Sequence, residues 1–396
     1  MSATLTRPVA MRDQPASAPH VGAASGPGSD EPQSPLARLT PEQVEQLGRE
    51  FDAIHDEVFA DLGERDARYI RNTIRLHRYV VLAARVLLLG SRRRPLWLTG
   101  TAALSLAKIL ENMEIGHNVL HGQWDWMNDP DINSRNWDWD TASPADAWRH
   151  SHNYEHHTFT NIRGKDRDLG YEIMRIDPHQ RWYPIYLLQP LYNLVLMAFF
   201  EWGVALHDLN AEAVRSGEKS PRQVIDELKA IGVKARRQVV KDYVAFPALS
   251  RRGWRSTLAA NFTANLVRNV WAHSIIFCGH FPDQTYTFSE QEVAQETRGG
   301  WYVRQLLGAA NIDGGPLFHL LAGNLSFQVE HHLFPDMPSN RYAEIAPRVR
   351  DICRRYELPY NTGPLRKQLG TVHRTILRLA FPGGRPRPKP GPYRAQ

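Results

Sequence analysis

GHNVLHGQW, residues 116–124, sets His117 and His121 four positions apart directly after an apolar run. On an α-helix such a pair shares one face, with Cβ atoms about 5–6 Å apart, so both imidazoles can reach one ion. Alone, an H-x-x-x-H pair more often packs or caps a helix. Its meaning depends on whether the rest of the chain supplies partners of the same kind.

It does. HSHNYEHHTFTN, residues 150–161, carries His150, His152, His156 and His157, and FQVEHHLFPDMP, residues 327–338, carries His331 and His332. Six of the 17 histidines fall between His117 and His157, far above an even scatter. Neighbouring residues on a helix diverge by about 100°, so each ring of an HH pair can serve a different coordination position. The imidazoles of His117, His121, His152, His156, His157, His331 and His332 exceed the needs of one tetrahedral zinc and suit two ions with octahedral-type positions. Carboxylate-bridged diiron bundles instead use two E-x-x-H repeats. The chain holds one such run, EIGH at residues 114–117, and no second. A histidine-rich haem or zinc protein of the membrane is the reading from another class.

The histidine runs sit among apolar segments. YVVLAARVLLLG (79–90) and PLWLTGTAALSLAKIL (95–110) are separated by SRRR and predict a short membrane hairpin with Arg92, Arg93 and Arg94 at its turn. YPIYLLQPLYNLVLMAFFEWGVAL (183–206) and STLAANFTANLVRNVWAHSIIFCGHF (256–281) predict two further spans, the second carrying Arg268, His273 and His280. An ionisable group inside such a span points to function. The polar segment 208–255 is richer in Lys and Arg than in acids, which conflicts with simple alternation of the flanking spans, so one of them is expected to be re-entrant. Upstream, residues 41–75 read as one amphipathic helix. Residues 1–40 and 381–396, rich in Pro, Gly and Ser or Arg, read as disordered tails around one domain at 41–380.

Composition removes other classes. Two cysteines, Cys278 and Cys353, exclude a disulfide framework and a cysteine-based cluster. No G-x-G-x-x-G or phosphate-binding loop occurs, and a net charge of +6 spread along the chain fits a lipid surface or a phosphate-bearing substrate better than nucleic acid. The absence of a charged stretch leading into an apolar one at the N-terminus argues against a cleaved signal peptide.

HNVLH, HNYEHH and QVEHH, with the extensions HTFTN and HHLFP, resemble the three histidine boxes of the membrane fatty-acid desaturase superfamily, over roughly residues 75–380. ENMEIGHNVLHGQWDWMNDP and GKDRDLGY are similar to the actinobacterial acyl-CoA desaturases that act on stearoyl-CoA. The resemblance implies an all-α membrane-embedded helical bundle of about four transmembrane or re-entrant helices, with a cytosolic helical cap over a diiron centre. It implies O2 as co-substrate, a long-chain acyl-CoA as the substrate that gains a cis double bond near its middle, and the cytoplasmic side of the cell membrane as location. A lipid hydroxylase shares the same boxes. The FPGG at residues 381–384 lacks the histidine of the HPGG haem motif, so no fused haem domain is expected within this sequence. Electrons are therefore expected from a separate NAD(P)H-dependent flavin and iron–sulfur oxidoreductase or a ferredoxin.

The family needs one more histidine near the end of a later membrane helix. His280 is favoured and His273 competes, the latter with Asn269 four residues before it in the spacing of a water-mediated contributor. Gln328 stands where many relatives have histidine and is expected beside the ligands rather than among them. Asp166, Asp168 and Glu330 are expected to orient ring N–H groups, and His150 and His319 to lie near the centre or at an interface. Arg149, Arg163 and Lys165 are expected at the acyl-CoA head group. His20, His55, His77, His179, His207 and His373 read as surface or packing residues.

Overall fold

The computed structural model describes residues 35–383, 389 and 391–394. The chain opens with α1, Pro41–Asp61, started by a capping box in which Thr40 and Gln43 satisfy each other's backbone N–H. The single helix expected over 41–75 is in fact two: the chain breaks at Leu62 and Gly63, and α2 runs from Glu64 to Leu89. Asp66 accepts from the Gly63 N–H at 3.2 Å and restarts the helix. After a turn that leaves Arg92, Arg93 and Arg94 exposed, α3 spans Arg94–Ile109 and packs back along α2 as the expected hairpin.

The α3 ladder then changes register. Residues Leu110–His117 wind as a π-helix, and so do Arg149–His156. The first histidine run therefore starts at the end of an i→i+5 segment, with His121 beyond it, and the second lies within one as far as His156, a winding that concentrates at functional sites.

Past these lie α4 (Gln189–Ala198) and α5 (Phe200–His207). The span expected as one segment over 183–206 is bent by 103° at Phe199. Asn269 donates to the Ala198 carbonyl at 2.9 Å just before the break, satisfying a group that the interrupted ladder leaves over. Next come α6 (Pro221–Val239), capped by Ser220 and Gln223, and α7 (Trp254–His280), a continuous helix of 27 residues. No single helix among the described residues is long and apolar enough to cross a membrane, while the bent pair passes that test jointly.

Around these are α8 (Arg298–Gly308), α9 (Gln328–Leu333), α10 (Tyr342–Arg355) and α11 (Leu365–Leu379). The fold is mostly helical but, among the described residues, not all-α: β1 (Asn311–Asp313) pairs in parallel with β2 (Thr362–Pro364), and Ile162 bridges Phe288.

Two cores hold this frame. Leu47, Phe51 and Ile54 of α1 pack with Tyr302 and Leu306 of α8, Val329 and Leu333 of α9, and Tyr342, Ile345 and Val349 of α10. Here α1 and α8 meet backbone to backbone, since a Cβ on Gly299 would fall 1.9 Å from the Val44 carbonyl oxygen. The second core packs Ile109 and Met113 against Ile275, Phe277 and Cys278 of α7 and Val372 and Ile376 of α11. Outside it, Leu82, Val86, Leu89 and Leu98 of the hairpin, Leu191, Leu194 and Val195 of α4, and Phe262 and Val267 of α7 are exposed apolar side chains. The tail expected to be disordered is held down where it is described. Tyr393 donates its N–H to Leu358 at 2.9 Å and its ring meets Tyr360, while Lys389 bonds the Thr285 carbonyl.

Candidate metal centre

The π-turns, the end of α7 and α9 bring eight imidazoles together. The His117 ring lies 4.5 Å from that of His121 and 5.1 Å from that of His331, and His121 lies 5.2 Å from His152. His156 lies 4.8 Å from His280 and 5.1 Å from His332. Two groups result. His117, His121, His152 and His331 form one, His156, His280 and His332 the other, each with ligand atoms within 4.8 Å of one another. His157 stands between them, 4.8 Å from His121 and 4.6 Å from His332.

The π-winding explains how one short run serves both groups. An i→i+5 turn sets the residues four and five ahead on either side of the first, so His156 and His157 both lie about one ring's reach from His152, at 5.1 and 5.0 Å. Spacing on an α-helix does not anticipate this.

Five of the eight rings are oriented from behind. His156 Nδ1 lies 3.0 Å from Asp166, and His152 Nδ1 lies 3.2 Å from Asp168. On the other side the partners are neutral: Asn118 at 3.1 Å from His117 Nδ1, Tyr342 OH at 3.2 Å from His331 Nδ1, and Gln305 at 2.9 Å from His332 Nδ1. A ring that donates Nδ1–H in this way presents an Nε2 lone pair inward. The Nε2 atoms of His121, His152, His156, His331 and His332, both ring nitrogens of His157, and Nδ1 of His280 are buried with no hydrogen-bond partner. Buried polar atoms are otherwise nearly always paired, so convergent unpaired lone pairs of this kind fit metal ions.

Electrostatics agree with neutral ligands. Burial, aided by neighbouring imidazoles, pushes His121, His157, His331 and His332 well below the ordinary histidine range. Burial also lowers His152, partly countered by Asp168. His156 is the exception: burial opposes its charge, but the Asp166 carboxylate more than offsets this and raises it. Burial works against the charge of Asp168 too, yet hydrogen bonds to His152 and His207 hold it well below the usual carboxylate range.

The structure does not bring every expected residue here. His273, seven residues before His280, turns to Asn193 at 3.0 Å and stacks on Phe277, so of the two competitors only His280 reaches the cluster. Asn269 is engaged at both ends, by Arg268 and the Ala198 carbonyl, although it lines the cavity beside His280. The Gln328 amide nitrogen lies 3.1 Å from His280 Nε2. Glu330 orients no histidine: its carboxylate accepts from Tyr360 at 2.7 Å and from Asn311 of β1 at 2.8 Å. His319 bonds Ser326, and His150 lies on the surface against Glu155 and Tyr154. Each cation expected at a head group already has an acidic neighbour: Asp146 for Arg149, Asp177 and Glu292 for Arg163, Glu290 for Lys165. Of the histidines read as ordinary, His55 stacks on Phe59, His20 lies outside the described residues, and His207 is buried against Asp168. The neutral partners Asn118, Gln305 and Tyr342 carry no local signal, because their chemistry is common and two of them arrive from distant elements.

Beside the cluster lies a cleft walled by Trp139, Tyr171, Phe200, Val204, Phe281 and Leu325, open to His117, His152 and His280. Glu201, His207 and Asp208 also line it, but much of its wall is apolar, and such a cleft ending on histidine donors would suit an alkyl chain.

A family model described as fatty acid desaturase matches residues 95–364. The NADPH-dependent stearoyl-CoA 9-desaturase of Mycobacterium tuberculosis is 49% identical over 351 residues, which is 88% of this chain and 82% of that one. The sn-1 linoleoyl-lipid 6-desaturase of Synechocystis is 25% identical over 280 residues, covering 68% and 76%. Fatty acid desaturase 3 of Bos taurus is 27% identical over 239 residues, covering 58% and 49%. The family match runs from the second helix of the hairpin through β2 and encloses all eight clustered histidines, and on this ground the chain belongs to the fatty acid desaturase family.

Proposed function

We propose that this desaturase acts on a saturated long-chain acyl-CoA of the stearoyl class and places a cis double bond at the ninth carbon. The observation that carries the reading is the set of buried, unpaired imidazole nitrogens in two groups bridged by His157. His117, His121, His152 and His331 would hold one iron, His156, His280 and His332 the other, with His157 between. Two bound irons supply the oxidising power toward an unactivated C–H bond that no side chain has.

The chain's own residues do the rest. Asp166, Asp168, Asn118, Tyr342 and Gln305 fix the tautomer and direction of the ligating rings. Trp139, Tyr171, Phe200 and Phe281 wall the cleft, so the alkyl chain lies against the histidines with water excluded. Overall, O2, two electrons and two protons enter with the saturated chain, and the alkene and two waters leave. The electrons come from a separate NADPH-dependent reductase, in keeping with the activity named for the mycobacterial relative. The exposed apolar faces of α2, α3, α4 and α7 would sit in the cell membrane, with Arg92, Arg93 and Arg94 at its interface and the histidines on the cytoplasmic side.

The test is turnover of stearoyl-CoA by the membrane-reconstituted protein with reductase, NADPH and O2, read by mass spectrometry with iron analysis of the same sample. A product lighter by two hydrogens, with two irons per chain and no Soret band, is the expected result. A product heavier by one oxygen would make the chain a hydroxylase, and one haem or one zinc in an active sample would sink the diiron reading.

A further inference from the structure

His207 ends α5, the second limb of the bent pair, and nothing in the sequence around it resembles a histidine box. Its side chain is 6% exposed. Nε2 lies 3.0 Å from Asp168 Oδ1, and the other carboxylate oxygen, Oδ2, lies 3.2 Å from His152 Nδ1. The three side chains therefore form a line from α5 through the loop to the second histidine run. At its inner end, His152 Nε2 is buried without a partner among the donors of His117, His121 and His331.

Around His207, the Tyr171 ring packs at 5.2 Å, Glu172 comes within 3.7 Å of Nδ1, and Arg167 donates to the His207 carbonyl while pairing with Glu155 at 2.9 Å. These contacts hold the imidazole with one edge toward Asp168. A carboxylate bonded at both oxygens cannot swing, and a ring whose Nδ1–H is tied to it cannot flip, so the inward lone pair of His152 is fixed by a group two residues removed from the metal. Asp166 needs no such backing, because its Oδ2 also accepts the Asn161 backbone N–H at 2.6 Å and its Oδ1 that of Asp168 at 3.0 Å.

We infer that His207 is a positioning residue for the metal sites: by clamping Asp168 it sets the tautomer and aim of His152, and through it chiefly the affinity of the four-histidine group, the same Asp168 oxygen lying farther, at 3.8 Å, from His156 Nδ1 of the other. This rests on the diiron reading above. It also ties α5, and with it the bend at Phe199, more closely to the four-histidine group than to the other.

The experiment is stepwise metal binding to the purified full chain in detergent or nanodiscs, with Fe(II) under anaerobic conditions and Co(II) as the spectroscopic stand-in, alongside thermal unfolding of the metal-free protein. His207→Leu removes the donor, and His207→Gln restores an N–H toward Asp168. His207→Leu should weaken one of the two binding steps about 10–100-fold, the range for partners of ligating histidines, and perturb half of the Co(II) absorption. His207→Gln should recover most of the loss, and Asp168→Asn combined with His207→Leu should be no worse than Asp168→Asn alone. Unchanged binding in His207→Leu would overturn the inference. So would equal weakening of both steps with a lowered melting temperature of the metal-free protein, the mark of a purely structural role. A wild-type chain that takes up one ion or none would instead overturn the diiron reading, and this inference with it.

Discussion

Around Asp242, charges find partners. Its carboxylate is fully buried and receives Arg85 at 2.7 Å and Lys108 at 2.7 Å, while Asn261 donates to its backbone carbonyl. Close by, Arg268 pairs with Glu201, which also accepts from Gln238 at 2.7 Å. Around His157 the opposite holds: buried donors converge and leave their lone pairs unpaired. Both clusters lie in the interior among helices of the same frame. The first balances its charges within the chain, with only Arg85 Nε of its charged groups around Asp242 left unpaired, and fastens Asp242, in the stretch after α6, to α2, α3 and α7. The second is complete only with something the chain does not contain. A buried polar cluster that satisfies itself is architecture, and one that converges unsatisfied is a site.

The comparison can be broken by mutation. His156→Ala or His332→Ala should abolish turnover and reduce bound iron while leaving the protein folded in the membrane fraction; full activity in either would remove the metal centre. Asp242→Ala should do the reverse. It strands Arg85 and Lys108 without their shared counter-charge, at a cost of about 3–5 kcal/mol, seen as a lower melting temperature and poorer yield, with iron per folded chain unchanged. If iron falls and stability does not, the two clusters are not separable as described.

Within the site, Asp166→Asn should weaken metal binding about 10–100-fold, since the amide holds His156 less strongly and removes the charge that raises it. The measurement is iron retained after graded chelation. His373→Ala, on an exposed face of α11, should shift stability by no more than about 0.5 kcal/mol and leave turnover intact. A large loss there would mean that histidine content, rather than placement, governs activity.

The seven box histidines were legible because metal ligation requires a particular residue type at short spacing, and both are local properties. The hairpin and its arginine turn were legible for the same reason, apolar periodicity interrupted by charge. The choice between His280 and His273 was not. Seven residues make nearly two turns, so both lie on one face of α7, and only Asn193 arriving from α4 decides that His273 is engaged elsewhere. Nor was the bend at Phe199, where a purely apolar run conceals that Asn269 from another helix takes the Ala198 carbonyl. Asp166 and Asp168 could be suspected from their closeness to the second box, whereas His207, 39 positions from Asp168, could not.

The π-wound segments have a further consequence. A π-turn amounts to an α-turn carrying one additional residue, with ordinary ladder resumed on either side. Leu110–His117 joins α3 to the first two clustered histidines, so the hairpin carries its helical phase into the cluster although the chain holds a surplus residue there. Removing one residue there would let a regular helix run through with the phase of His117 and His121 relative to α3 nearly kept, whereas removing one from the regular ladder of α3 would turn both by about 100°. A one-residue loss is thus better absorbed inside the π-turn than in the regular helix before it, where the rotation would carry both imidazoles away from the cluster.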